Sequence, residues 1–194
     1  LHLCDRRQRQ MCIRDRSFSA WFSYDGKMVR AFRNRQQQPL YFYNQNGHIY
    51  TQMIDEGFYE FDGKEFHHLF PRSKVNDDNV VALLPDGNNS FLMVTENNGL
   101  FRYTGDITPW KTDIDAELKK QRVNRAVMTN DSIFMIGTVL NGIYAIDRKG
   151  HCLWHFNLDN RLDNNTVLGL FCDKDNNVWA ALDDGIAYIH HNSP

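Results

Sequence analysis

The chain has 194 residues, of which 42% are hydrophobic, 13% aromatic and 24% charged, the composition of an ordinary globular domain or of a piece of a larger protein. Its longest apolar run, Val80–Leu84, is far shorter than the roughly 20 residues that cross a bilayer, so we expect no membrane insertion in this segment. The formal net charge is −2 and becomes more negative when the Arg-rich start is set aside, which argues against a nucleic-acid partner.

Residues 1–16 differ in composition from the rest of the chain. They hold five arginines, show no apolar periodicity and lack the apolar stretch of a secretory signal. A basic arm for nucleic acid is one interpretation. The string Met11–Arg16 instead resembles a translated sequencing-adapter tail, so we predict that residues 1–16 are non-native and that the natural protein continues upstream of Ser17.

The first predicted structural unit is half of a β-blade at residues 17–36. Ala20–Tyr24 and Met28–Phe32 are β-prone runs joined by an Asp-Gly-Lys turn. They match the second half of the units that follow, so we predict the last two strands of a truncated blade.

A repeat of about 43 residues organises the remainder of the chain. Glycines followed by an apolar residue and then an aromatic or small one recur at spacings of 42, 43 and 43, at Gly57, Gly99, Gly142 and Gly185. A β-prone run precedes each glycine, and a turn rich in Asn, Asp or Gly precedes each run. Four short strands per 40–50 residues are typical of a propeller blade. The sequence therefore predicts an all-β, partial β-propeller of about four blades, each with four antiparallel strands.

The repeat also sets the expected boundaries of the blades. Complete blades are predicted at 37–70, 79–112 and 122–160, with a helical connection at 113–121. The last unit, 161–194, stops after its third strand, so we predict an incomplete blade. A fragment of a larger propeller is favoured over a closed four-bladed ring.

The last unit carries a family resemblance. An Asn-rich lead at Leu162–Val167 is followed by an Asp/Asn turn, by Val178–Leu182 with Trp179, and by Gly185-Ile186-Ala187-Tyr188. This pattern resembles the two-component regulator propeller repeat. Thr95 and Thr138 occupy the fourth position of the strand tetrad in two other units, although the Trp of the pattern is found there only once.

This resemblance implies a function in sensing. In that family such propellers form the periplasmic sensor part of hybrid regulators from Bacteroidetes, commonly detecting oligosaccharides. The implied partners are therefore an oligosaccharide ligand, the remaining blades, and kinase and DNA-binding domains elsewhere in the parent protein. No enzymatic activity and no cofactor are implied.

Polar loops before the repeated glycines are the candidate ligand-binding residues. They would line one mouth of a propeller, with an aromatic side chain nearby, and comprise Glu56, Glu96, Asn97, Asn141, Asp183, Asp184 and Trp110. Turn formation is the alternative explanation for these residues. One alternative function is a secreted propeller enzyme of polysaccharide-lyase or hydrolase type, because two carboxylates could converge in space, although no sequence motif of a known catalytic site is present. A propeller that only binds a sugar or a protein is the other alternative.

Three other groups are assigned no chemistry. Asp173–Asn177 resembles the start of a calcium loop but lacks the required glycine, so a hairpin turn is favoured. His67-His68 and His190-His191 are adjacent pairs in or after strands. The two side chains of each pair point to opposite faces, so they cannot bind one metal ion together. Cys152 and Cys172 are expected to be small core residues.

Overall fold

The fold is taken from a computed structural model that describes residues 20–24, 29–33, 39–45, 47–87 and 90–190. The predicted non-native tail at 1–16 lies outside these ranges. Within the predicted half-blade, β1 (Ala20–Tyr24) and β2 (Val29–Arg33) pair as an antiparallel two-stranded sheet. Their turn lies outside the described residues, and their assignment to a truncated blade stays a prediction.

Four further sheets follow in chain order, each built by antiparallel pairing of strands that are adjacent in sequence. Blade 1 contains β3 (Pro39–Gln45), β4 (His48–Met53), β5 (Gly57–Phe61) and β6 (Phe66–Pro71). Blade 2 contains β7 (Val80–Pro85), β8 (Phe91–Thr95), β9 (Leu100–Tyr103) and β10 (Ile107–Trp110). Blade 3 contains β11 (Val123–Met128), β12 (Phe134–Thr138), β13 (Ile143–Ile146) and β14 (Cys152–Phe156). Blade 4 contains β15 (Val167–Cys172), β16 (Val178–Leu182) and β17 (Ile186–Ile189). The predicted all-β propeller of four antiparallel blades is confirmed.

The blades pack through their first strands. β7 contacts both β3 and β11, and β11 contacts β15, so these four inner strands lie side by side around the propeller axis. Three apolar cores fill the spaces between successive blades. All five residues of β8 and of β12 are buried, because blades 2 and 3 are covered on both faces. This two-sided burial explains why the strands are continuous apolar runs rather than alternating ones.

Each inner strand is interrupted by a β-bulge near its first residue. The register of pairing shifts between Pro39 and Phe42, between Val80 and Ala82, between Val123 and Arg125, and between Val167 and Gly169. A bulge leaves an extra residue unpaired and re-aims the side chains beside it. The irregularity therefore recurs at one end of every blade.

Two short helices connect the blades. A 3-10 helix at Arg72–Val75 leads from blade 1 to blade 2, and α1 (Asp115–Gln121) leads from blade 2 to blade 3. Leu118 of α1 is fully buried in the core between blades 2 and 3, beside Ile114. Within the described ranges, no helix has the length and apolarity needed to cross a membrane.

The repeated glycines lie at the start of the third strand of each blade: Gly57 is its first residue, and Gly99, Gly142 and Gly185 directly precede it. Two of them have a clear physical reason. Gly142 has φ +72°, and a Cβ atom there would collide with the carbonyl oxygen of Phe156 and lie 3.0 Å from Cα of Asn157. At Gly57 a Cβ atom would collide with the carbonyl oxygen of Phe70 in the same way. The third and fourth strands therefore approach too closely at these positions for any side chain.

Candidate functional site

The candidate site is one end of the propeller, which we call the mouth: loops 54–56, 96–98, 139–141 and 183–184 together with the start of each inner strand. These segments share one end because the residue before each loop pairs with the first residue of the inner strand, as Thr95 does with Val80 and Thr138 with Val123. All of the predicted loop residues therefore lie at one mouth. The bulges of the inner strands lie there too.

Glu96 joins blade 2 to blade 3 at this mouth. Its carboxylate accepts a hydrogen bond of 2.5 Å from Nε of Arg122, the residue that precedes β11. It also accepts one of 2.8 Å from the side-chain amide of Asn79, which in turn accepts one of 3.0 Å from Arg72. The side chain of Glu96 is only 14% exposed. Its carboxylate is thus fixed by a cation and an amide from neighbouring segments.

Asn97 is held by a carboxylate that the sequence analysis did not single out. Asp78 is buried, and its side chain accepts hydrogen bonds from the backbone N–H groups of Asn97 at 2.6 Å and Asn98 at 2.8 Å. It accepts further bonds from both side-chain amides and from the N–H of Asn79. Asp78 therefore determines the shape of the loop that carries Glu96 and Asn97.

Asn141 belongs to a polar cluster on blade 3. Its side-chain amide donates to the hydroxyl of Tyr144 at 2.8 Å, and its side-chain oxygen accepts from Asn157 at 3.1 Å. The ring of His155 stacks on that of Tyr144 with centroids 4.0 Å apart and donates to the carbonyl oxygen of Asn141 at 2.8 Å. Burial raises the pKa of Tyr144, so it stays a neutral hydroxyl at physiological pH.

The acidic residues of the first and last loops differ in their surroundings. Glu56 accepts a hydrogen bond of 2.7 Å from the hydroxyl of Tyr59, and burial together with this bond raises the pKa of Tyr59 to about 12. Asp183 and Asp184 are exposed, and among the described residues neither carboxylate has a hydrogen-bond or ion-pair partner. These two carboxylates are therefore open to a ligand.

The two tryptophans of the sequence analysis make contacts within and between the blades. Trp110 packs against the core between blades 2 and 3, with its ring 5.7 Å from that of Phe134 and the Arg102 guanidinium 4.9 Å from its centroid. Trp179 lies in the middle strand of blade 4, where its indole N–H donates to Asp173 at 3.0 Å. Trp110 thus contributes to packing between blades.

Side chains at the opposite end of the blades close turns. The carboxylate of Asp173 accepts the backbone N–H groups of Asp175 at 3.0 Å and Asn177 at 2.9 Å, the pattern of a capped hairpin turn. Nε2 of His67 forms a hydrogen bond of 2.8 Å with the carboxylate of Asp62.

The expectation that both cysteines are small core residues is wrong for Cys152. Cys152 is exposed because it lies on the outermost strand of blade 3, whereas Cys172 is half-buried.

Two residues at the axis were missed by the sequence analysis. The guanidinium of Arg125 in β11 lies 5.5 Å from the ring centroid of Tyr41 in β3, although β7 separates these two strands. Arg125 is the only charged residue in the four inner strands, and this sequence signal could have identified it once the strands were assigned. Tyr41 carries no such signal.

Comparison with known proteins identifies structural neighbours. No protein-family model and no curated protein matches the chain. The extracellular domain of BT4673, a proposed one-component system from B. thetaiotaomicron, superposes with a TM-score of 0.68 and 20% identity, covering 91% of this chain and 25% of that one. The extracellular domain of BT3049, a proposed hybrid two-component system from the same organism, superposes with a TM-score of 0.66 and 13% identity. The match covers 91% of this chain and 27% of that one.

An enzyme is also among the neighbours. Virginiamycin B lyase from Staphylococcus aureus superposes with a TM-score of 0.60 and 14% identity, covering 88% of this chain and 62% of the lyase. At these identities the likeness establishes the shared propeller fold. The chain spans about a quarter of the length of the two extracellular domains.

Proposed function

We propose that this chain is part of an extracytoplasmic, periplasmic sensor propeller of a two-component regulator and that it has no catalytic activity. The observation that carries the proposal is the interblade bonding at the mouth. Glu96 is bound by Arg122 and Asn79, so a displacement of one blade's loop acts directly on the next blade. Such a rigid, linked surface suits a receptor that transmits binding as a small conformational change.

The ligand that fits this mouth best is an oligosaccharide. Asp183 and Asp184 offer exposed carboxylate acceptors, and Asn97 offers an exposed amide. Hydroxyl groups of sugars both donate and accept hydrogen bonds, so they match a mixture of carboxylates and amides. In the parent protein the remaining blades, a kinase and a DNA-binding domain would complete the receptor.

Titration calorimetry with a panel of neutral and acidic oligosaccharides tests the binding function. We expect at least one glycan to bind and the double variant D183N/D184N to bind it at least tenfold more weakly. Asp175→Asn is the matched control, because Asp175 is also an exposed carboxylate on blade 4 but lies in the turn at the opposite end. Equal weakening by both variants, or no binding by the panel, contradicts the proposal.

A lyase is the second candidate, favoured by the structural likeness to virginiamycin B lyase. It requires an acid or base that can exchange a proton near the substrate. The carboxylates of Glu96 and Asp78 are occupied by several donors, which disfavours them in that role. Incubation of the chain with polysaccharides, followed by assays for reducing ends and unsaturated products, decides between the two candidates.

A further inference from the structure

Arg125 is the one charged residue among the inner strands that surround the propeller axis. The sequences of these strands are otherwise apolar or neutral: Pro39–Gln45, Val80–Pro85, Val123–Met128 and Val167–Cys172. A half-buried cation in such surroundings loses hydration and is retained only where it gains a compensating interaction. The position of Arg125 therefore requires an explanation.

The geometry brings Arg125 to the axis. It follows the bulged residue Asn124 at the mouth end of β11, where a bulge re-aims neighbouring side chains. Its guanidinium lies 5.5 Å from the ring centroid of Tyr41, a residue of blade 1 that is 38% exposed. Because β7 lies between β3 and β11, this contact is made across the space that the inner strands enclose.

Arg125 lacks the carboxylate partner that three other arginines have. Arg102 and Arg148 pair with Asp86, and Arg122 pairs with Glu96. Arg125 donates one hydrogen bond of 2.8 Å to the carbonyl oxygen of its neighbour Asn124, and within the described ranges no carboxylate lies within 4.0 Å of it.

Most of the five N–H groups of the Arg125 guanidinium are thus available to a ligand. The positive charge of Arg125 also acts on Tyr43: burial is the main cause of the raised pKa of Tyr43, and Arg125 lowers that pKa.

We propose that Arg125 is an anion-binding residue at the axis and that the ligand of the mouth is an acidic oligosaccharide, whose anionic group binds Arg125 while its hydroxyl groups donate to Asp183 and Asp184. A guanidinium binds a carboxylate or a sulfate through two parallel hydrogen bonds, and partial burial strengthens that interaction. Tyr41 positions the guanidinium by a cation–π contact. The inference rests on the proposed function, since it names the ligand class of the same mouth.

Calorimetry with three probes tests this subsite: tetragalacturonate, a sulfated galactan tetrasaccharide and neutral galactotetraose. We expect the acidic probes to bind more tightly than the neutral one, and Arg125→Gln to weaken the acidic probes at least tenfold. Arg125→Lys keeps the charge and is expected to retain part of the affinity, whereas Tyr41→Phe keeps the ring and changes the affinity less than twofold. Arg148→Gln, which removes a half-exposed arginine at the opposite end, is the matched control and is expected to have no effect.

Each outcome decides the proposal. Preference for the tetragalacturonate identifies a carboxylate as the anion, and preference for the sulfated probe identifies a sulfate. Tight binding of the neutral probe with no effect of Arg125→Gln overturns the anion subsite but leaves the sensor function intact, whereas no binding of any probe overturns both. Should Arg125→Gln fail to fold, Arg125→Lys decides: weaker binding of the acidic probes in that folded variant supports the proposal, and an unchanged affinity for all three probes overturns it.

Discussion

The repeated glycines differ in how strongly the structure requires them, and a comparison of Gly142 with Gly185 tests this difference. Gly142→Ala forces a Cβ atom against the backbone of Phe156 in addition to a positive φ of +72°. We expect it to lower the free energy of unfolding by about 3 kcal/mol. Gly185→Ala meets only the strain of its φ of +95°, since a Cβ atom there has no neighbour within 4 Å, and is expected to cost about 1 kcal/mol.

Urea denaturation of both variants measures this difference. The close approach of the third and fourth strands of blade 3 causes it, so equal destabilisation by the two substitutions would show that conformation alone explains the glycines.

The exposed pair of Asp62 and His67 gives a residue-scale prediction on pH. Their hydrogen bond is the largest cause both of the raised pKa of His67 and of the lowered pKa of Asp62. The stabilisation from His67 is complete below about pH 6.5 and is lost as pH rises through the raised pKa. That from Asp62 is complete above about pH 4 and is lost as pH falls through the lowered pKa.

The pair therefore contributes fully only between about pH 4 and about pH 6.5. An NMR titration of His67 is expected to have its midpoint above about 6.5 in the native chain and near that value in Asp62→Asn. Identical midpoints in the two proteins would show that the pair does not form in solution.

At the scale of elements, the loop at 96–98 takes its shape from Asp78 rather than from its own sequence. Asp78→Asn replaces one of the two acceptor oxygens by a donating NH₂ group, so some of the five hydrogen bonds that this carboxylate accepts from Asn79, Asn97 and Asn98 are lost. We expect a loss of about 2 kcal/mol in the free energy of unfolding and faster hydrogen exchange at these two amides. Asp77→Asn is the control. Asp77 is exposed and its backbone has a φ of +57°, which asparagine adopts readily, so we expect this variant to have the stability of the native chain.

The elements that could be predicted from the sequence are those fixed by local chemistry. Strands, turns and the third-strand glycines recur about every 43 residues because each blade packs against its neighbours in the same way. The helix at Asp115–Gln121 lies within the connection predicted at 113–121. The polar loops could be assigned to one mouth for the same reason. The roles of Asp78 and Arg125 depend on partners about 20 and more than 80 residues away in sequence, so no local pattern indicates them.

At the scale of the whole molecule, the stacking of the described blades leaves an apolar face of blade 4 exposed. Trp179 and Ala181 of β16 occupy the positions that Leu92 and Val94 occupy in β8, where they face the next blade and are buried. In blade 4 this outward face is exposed. It also includes Phe171, which is 64% exposed, Ile186, which is 71% exposed, and Tyr188. The face has the composition of an interblade surface, and no blade within the described ranges covers it.

We expect the chain, expressed alone, to associate through this outward face. Sedimentation velocity at increasing concentration should show oligomers for the native sequence, and the double variant F171K/I186K should shift them towards the monomer because charged side chains resist burial at an apolar contact. The matched control is L140K/L158K, which changes two leucines of similar exposure, 59% and 57%, that lie in loops outside the face. It is expected to leave the association unchanged. A native chain that is monomeric at all concentrations, or a control that dissociates the oligomers equally well, would show that the outward face of blade 4 does not drive self-association.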